Sequence, residues 1–200
     1  MDDHRKPLAP GHIIAGYSIV RAIGQGGFGI VYEAVNPYTK DRAAIKQFYP
    51  NNISSWRHDT IIVEKEDDRK LVERILKRFE GEAAVQASYD HPNILKVKNF
   101  IRENNTGYLF TEFIDGMTLL DHVEQYGSVF PDERMFRTML EPISDAIGYI
   151  HEKHTLHLDI APDNILVDKS GRPVLVDFGA AKHDLRRVRS LSTIVQFNPD

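Results

Sequence analysis

Two hundred residues, 42% hydrophobic and 27% charged, have the balance of one ordinary globular domain or two small ones, which argues against wholesale disorder. A net charge of -4 gives no sign of a nucleic-acid or membrane-surface protein, and the lack of cysteine excludes disulfides, thiolate zinc sites and thiol catalysis. No apolar run reaches bilayer length and "MDDHRKPLAPG" lacks an apolar signal core, so the expected location is the cytoplasm, or the cytosolic portion of a longer chain.

The pattern from Tyr17 to Val35 predicts strand, glycine turn, strand: "YSIVRAIG" leads in and "GIVYEAV" leads out with rough apolar–polar alternation. "NPYTKD" reads as a turn and "RAAIKQF" as a third strand. "YPNNISSWRHD" is polar and loop-like, with a short strand at "TIIV". Leu71, Ile75, Phe79 and Ala83 recur every four residues and predict a helix from about Arg69 to Ser88. Pro92 ends it. Strand-like "LKVKNFIR" and "GYLFTEFI" follow, separated by "ENNTG". After "DGMT" the chain reads as mainly helical, with "LLDHVEQYG" and an amphipathic stretch from Asp132 to Lys153 that Pro142 kinks or divides. "NILV" and "PVLVDF" close the series as short strands around the turn "DKSGR". The expected layout is an N-terminal extension over 1–16, a sheet-and-helix unit over 17–115 and a mainly helical unit over 116–200.

The spacing G-x-G-x-x-G at Gly24, Gly26 and Gly29 points to a backbone that passes close to phosphates. A dinucleotide fold needs a helix directly after the glycines, whereas here a strand follows. The phosphate-loop pattern G-x-x-x-x-G-K-[ST] is absent. "HEKH" at His151–His154 is one residue short of a helical zinc pair, and its histidines read as helix-end and loop residues, with His157 structural.

In order, the chain presents "GQGGFGIV", "AAIK", a helix with "EGEAA", "HLDIAPDN" and "DFG". This set resembles the protein kinase superfamily over roughly Tyr17 to Lys182, and "AIKQFYP" with its long insert resembles bacterial Ser/Thr kinases of the eukaryotic-like kind. The resemblance implies an α+β bilobal fold: an antiparallel five-stranded N-lobe with one main helix, and a partial, mainly helical C-lobe. It implies transfer of the ATP γ-phosphate to Ser or Thr hydroxyls of proteins, assisted by Mg2+ or Mn2+. The glycine hairpin, with Ile23 at its base and Phe28 at its tip, would cover the phosphates, and Lys46 would bind the α- and β-phosphates. Glu82 would orient Lys46, with Glu80 as the other candidate; the two point to different sides of the helix. Asp159 would accept or orient the substrate proton, Asn164 and Asp177 would hold magnesium, and Thr111 would be the gatekeeper. Glu112 and Ile114 would offer backbone contacts to adenine, and Val31, Ala44 and Leu166 would sandwich it.

Four departures qualify the resemblance. Leu158 replaces the arginine that pairs with an activation-loop phosphate, which loosens control through Ser190, Ser192 or Thr193; Arg186, Arg187 and Arg189 lie nearby in sequence. Ala161 stands where a lysine touches the γ-phosphate, a contact worth about 2–4 kcal/mol of barrier. Gln86 replaces an apolar spine residue. The chain also stops inside the activation segment, which implies a piece of a longer kinase and an uncovered apolar face on the Asp132–Lys153 helix, open to dimerisation. The competing expectations are a nucleotide-binding pseudokinase or scaffold, and a kinase-fold enzyme acting on a small molecule.

Overall fold

A computed structural model describes residues 5–51, 54–57, 60–127, 129–130, 132–180 and 182–183. These fall into two compact units. The first holds the described residues up to Ser88 with Lys96–Ile114; the second holds Tyr89–Leu95 with those from Asp115 onward.

The first unit is built on an antiparallel sheet of β1 (Ile13–Ile14), β2 (Tyr17–Gly26), β3 (Gly29–Val35), β4 (Arg42–Phe48), β7 (Val97–Glu103) and β8 (Thr106–Glu112), in the order β1-β2-β3-β4-β8-β7. Period two puts Ile30, Tyr32 and Ala34 of β3, Ala43 and Ile45 of β4, and Tyr108 and Phe110 of β8 on one face, all buried. Leu8, Ile14 and Ile19 complete that core. A polar chain runs through it. The Leu8 N–H donates to Tyr32 Oη across 3.2 Å, Tyr32 Oη donates to Gln47 Oε1 across 2.8 Å, and Gln47 Nε2 donates to Tyr108 Oη across 3.5 Å. Burial pushes the Tyr32 phenol up to about 12, so it stays a donor.

Helix α1 (Glu66–Ala87) buries Val72 and Leu76 beside Phe48, and Phe79 packs between Phe48 and Phe100 at ring separations of 5.9 and 5.6 Å. Between β4 and α1, β5 (Ser55–Arg57) and β6 (Thr60–Ile62) form a further hairpin. Asn104 O accepts from the Ile61 N–H at 2.9 Å, and Asn105 Nδ2 donates to Ile61 O at 3.2 Å. The hairpin, α1 and the β7–β8 turn border an open cleft of about 710 Å³ lined in part by Ile61, Val72, Leu76 and Arg102.

In the second unit, β9 (Gly116–Thr118), α2 (Leu119–Glu124), α3 (Glu133–Glu152), β10 (Thr155–Leu156), β11 (Ile165–Asp168), β12 (Pro173–Leu175) and β13 (Lys182–His183) follow in order. The Thr118 hydroxyl caps α2 and the Asp132 carboxylate caps α3. Residues β9, β11 and β12 form one antiparallel sheet, and β10 pairs with β13. At the β11–β12 turn, burial raises the Asp168 carboxyl, but hydrogen bonds from Ser170 and Arg172 outweigh it and bring it down to about 2.

Several elements differ from the sequence expectation. The sheet gains β1 as a sixth, two-residue strand, so part of the 1–16 extension belongs to it. "SWR" pairs as β5, because a neighbouring apolar strand supplies its hydrogen bonds. Pro142 neither breaks nor divides α3, which runs on with Met139, Ile143, Ala146 and Ile150 buried along one stripe. The uncovered apolar face expected there is therefore largely covered within the unit; Phe136 stays 46% exposed. The sites at Ser190, Ser192 and Thr193 and the arginines at 186, 187 and 189 lie outside the described residues. No helix among the described residues is long and apolar enough to cross a membrane.

Candidate functional site

Register gathers the candidate residues of the first unit's sheet. Val31 lies opposite Lys46, which lies opposite Leu109; Ala44 lies opposite Thr111, and Gly24 opposite Val31. Opposed residues share a face and alternate residues repeat it, so Gly24, Val31, Ala44, Lys46 and Thr111 all present to the face opposite the Tyr32–Ile45–Phe110 core. Thr111 is 5% exposed, and its hydroxyl reaches Glu112 O at 3.2 Å. The Glu112 N–H donates to Lys96 O, and Glu112 Oε1 accepts from the Lys96 N–H at 3.0 Å, which fixes the end of β8 just before Ile114.

The glycines of the hairpin have different surroundings. A Cβ on Gly26 would meet nothing within 4 Å, and one on Gly24 only Val31 at 3.8 Å. A Cβ on Gly29 would lie 2.1 Å from the Gln47 carbonyl oxygen. The close β3–β4 contact by itself therefore requires glycine at position 29. Ile23, at the hairpin base, is 40% exposed.

On α1, Glu82 accepts from Arg78 Nε at 2.7 Å, and its side chain is 19% exposed. The Glu80 side chain is 47% exposed and lies 3.8 Å from Arg102. Gln86 is buried.

The second unit brings the three catalytic-loop candidates to one end of the β11–β12 hairpin. Ile165 pairs with Leu175, and beyond that pair the Val176 N–H donates to Asn164 O at 2.9 Å, so Asn164 and Asp177 flank the same end of the ladder. Asn164 Nδ2 donates to both Asp159 O and Asp159 Oδ2 at 2.9 Å. With its amide nitrogen committed to Asp159, the Asn164 Oδ1 is the atom left to act as a hard oxygen ligand. Asp177 has a left-handed backbone, φ +57°, and its Oδ1 accepts from the Gly179 N–H at 3.2 Å. Leu158, also left-handed at φ +65°, is 54% exposed. Leu166 lies in β11 opposite Val174 and Thr118.

No cluster of three or more His, Asp or Glu groups suited to a metal occurs among the described residues. One carboxylate and one amide oxygen still fit magnesium, which keeps several waters and completes its shell with phosphate oxygens.

His157, absent from the site expectations, anchors this end. It is 1% exposed, packs edge-on against Phe178 at 4.7 Å, and lies 3.1 Å from Val176 O through Nε2. A carbonyl only accepts, so Nε2 carries the proton and donates. Burial holds its pKa below the ordinary value, against the opposing pull of the Val176 carbonyl and the Asp177 and Asp159 charges. The unfolded chain takes up this proton near pH 6.5, before the folded one does. Stability present above about pH 6.5 is therefore lost as the pH falls below it. Urea melts between pH 7.5 and 5 should show this acid slope, and His157→Gln should flatten it; an unaltered slope in the variant would remove His157 as its source.

The pattern of the protein kinase domain matches residues 17–196. The serine/threonine-protein kinase PrkC of Bacillus subtilis is 32% identical over 82% of this chain and 22% of its own length. Aurora kinase B of Xenopus tropicalis is 31% identical over 92% of this chain and 46% of its own. A solved structure described as the apo form of PpkA-294 superposes with a TM-score of 0.79 at 34% identity, covering 95% of this chain and 66% of that one. The chain thus spans less than half the length of these two curated relatives.

Proposed function

The chain belongs to the protein kinase family, and from that premise we propose that the protein transfers the γ-phosphate of ATP to serine or threonine hydroxyls of protein substrates. The observation that carries the reading is the Asp159–Asn164 pair, with Asp177 one step along the same hairpin end. The expected bounds 17–115 for the nucleotide lobe and 116–200 for part of the catalytic lobe then shift, with Tyr89–Leu95 and Asp115 going to the second and part of the 1–16 extension to the first.

Lys46 binds the α- and β-phosphates and Glu82 orients it. The Glu112 carbonyl and Ile114 N–H face adenine, with Thr111 behind them, and Ile23, Val31, Ala44 and Leu166 supply apolar surface. Magnesium, or manganese in its place, neutralises phosphate charge when bound, and Asn164 Oδ1 and the Asp177 carboxylate would hold it. The substrate hydroxyl oxygen forms a bond to the γ-phosphorus, the bond to the ADP oxygen breaks, and the hydroxyl proton passes to the Asp159 carboxylate. Ala161 brings no cation to this step, so transfer is slow. A cytoplasmic location fits this chemistry.

Transfer from labelled Mg-ATP by the intact protein tests the reading. Glu82→Gln should lower the rate at least about tenfold, while Glu80→Gln, which loses only a surface pair, stays within about threefold. The reverse order would move the lysine partner to Glu80. Binding of Mg-ATP without any transfer would replace the kinase reading by a pseudokinase, the alternative that Leu158 and Ala161 favour.

A further inference from the structure

The chain before β1 is not a passive lead-in. Arg5 is 6% exposed, and its guanidinium stands over the Tyr49 ring at 5.6 Å. One terminal nitrogen donates to Tyr49 O, just past the end of β4; the other donates to Gly26 O, in the glycine hairpin, at 2.6 Å. Three residues on, Leu8 is buried, and its N–H is held by Tyr32. Buried arginine is uncommon unless its donors are placed, and here two of them serve main-chain oxygens on different elements.

The neighbouring carbonyls are tied as well. Gly27 O accepts from the Asn51 N–H at 3.0 Å and Phe28 O from the Tyr49 N–H at 2.8 Å. Three successive carbonyls of the hairpin tip are thus drawn to the side of Arg5, Tyr49 and Asn51. A trans peptide is planar, with its C=O and N–H antiparallel. Holding Gly26 O therefore turns the Gly27 N–H the opposite way, and holding Gly27 O does the same for the Phe28 N–H. Of the three ties, the one on Gly26 is made by a side chain and is open to substitution. Glycine at 26 and 27 leaves these planes free to rotate when they are not held.

We propose that Arg5 is a positioning residue of the glycine hairpin: it fixes the Gly26–Gly27 peptide plane so that the Gly27 N–H is presented to the phosphates of the nucleotide. The inference rests on the ATP reading above and assigns its phosphate affinity a determinant in the N-terminal segment. Arginine suits the task because its planar fork spans two acceptors at once, whereas a lysine ammonium serves them less rigidly.

The test separates phosphate recognition from general loosening. Dissociation constants for Mg-ATP and for adenosine are measured by calorimetry on the intact protein, as wild type, Arg5→Lys and Arg5→Ala. The expected result is Mg-ATP binding weakened about 5- to 20-fold in Arg5→Ala and less in Arg5→Lys, with adenosine binding within about twofold of wild type. Equal weakening of both ligands would make Arg5 a merely structural residue and overturn the proposal. Unchanged Mg-ATP affinity in a folded variant would overturn it too, while leaving the ATP reading intact. If Arg5→Ala fails to fold, Arg5→Lys decides by the same comparison. A wild-type protein that binds neither ligand would sink the ATP reading and this inference together.

Discussion

Asp159→Asn in the intact protein lowers phosphoryl transfer by about 10²- to 10⁴-fold while Mg-ATP affinity stays within about threefold. The substitution keeps the size of the side chain and removes its negative charge and its capacity to take a proton. The local structure has the means to survive it. Asn164 Nδ2 donates to the backbone oxygen of residue 159 as well as to the carboxylate, and the first of these bonds is untouched. The second is restored when the new amide turns its oxygen toward Asn164. Initial rates and nucleotide titration on the same preparation check the result. Full activity in the variant would dismiss Asp159 as the proton acceptor. Loss of nucleotide binding along with rate would make it a scaffold for the metal ligands instead.

Gly29→Ala destabilises the protein by about 1–3 kcal/mol, and Gly26→Ala costs less than about 1 kcal/mol. The two glycines belong to one motif, yet a Cβ at position 29 would lie 2.1 Å from Gln47 O, whereas at position 26 it meets nothing within 4 Å. The obstacle at position 29 is a main-chain oxygen inside the β3–β4 ladder, so relief requires the strands to part. Neither backbone is left-handed, so strain at φ does not enter the comparison. Denaturant melts of both variants measure the difference. Equal stability would mean that the β3–β4 register is not the one that places Gly29 opposite Phe48.

Gly24, Gly26 and Gly29 are alike in sequence and unlike in the fold. Spacing placed Gly24, Gly26 and Gly29 in one class, because all three fit a chain that must approach phosphates. Only the pairing of β3 with β4 separates Gly29, whose neighbour is Gln47, eighteen residues away in sequence. Tyr89–Leu95 gives a similar case. The sequence reads it as a helix stop before a strand; in the fold, the Leu175 N–H donates to Asn93 O and the Leu95 N–H donates to Leu175 O, so this short run lies beside β12. Arg5 carried no signal of its role, since a lone arginine near a terminus has many uses, and His157 read as structural without any sign of what it would hold. Their partners are the main-chain oxygens of Gly26, Tyr49 and Val176, which every sequence possesses.

What the sequence determined by itself was local or chemically distinctive. Alternation every two residues marked β3, strand-like apolar runs marked β4 and β8, recurrence every three to four marked α1 and α3, and five spaced motifs singled out the candidate residues for phosphate, metal and proton. The tertiary structure decided which strand lies beside which and which carbonyl faces which donor. It also decided why β5 exists at all, since its hydrogen-bond partners are residues of β6. The physical reason is that periodicity is written along the chain by the geometry of single elements. Pairing, by contrast, is chosen among many locally equivalent partners by burial and hydrogen bonding summed over the whole unit.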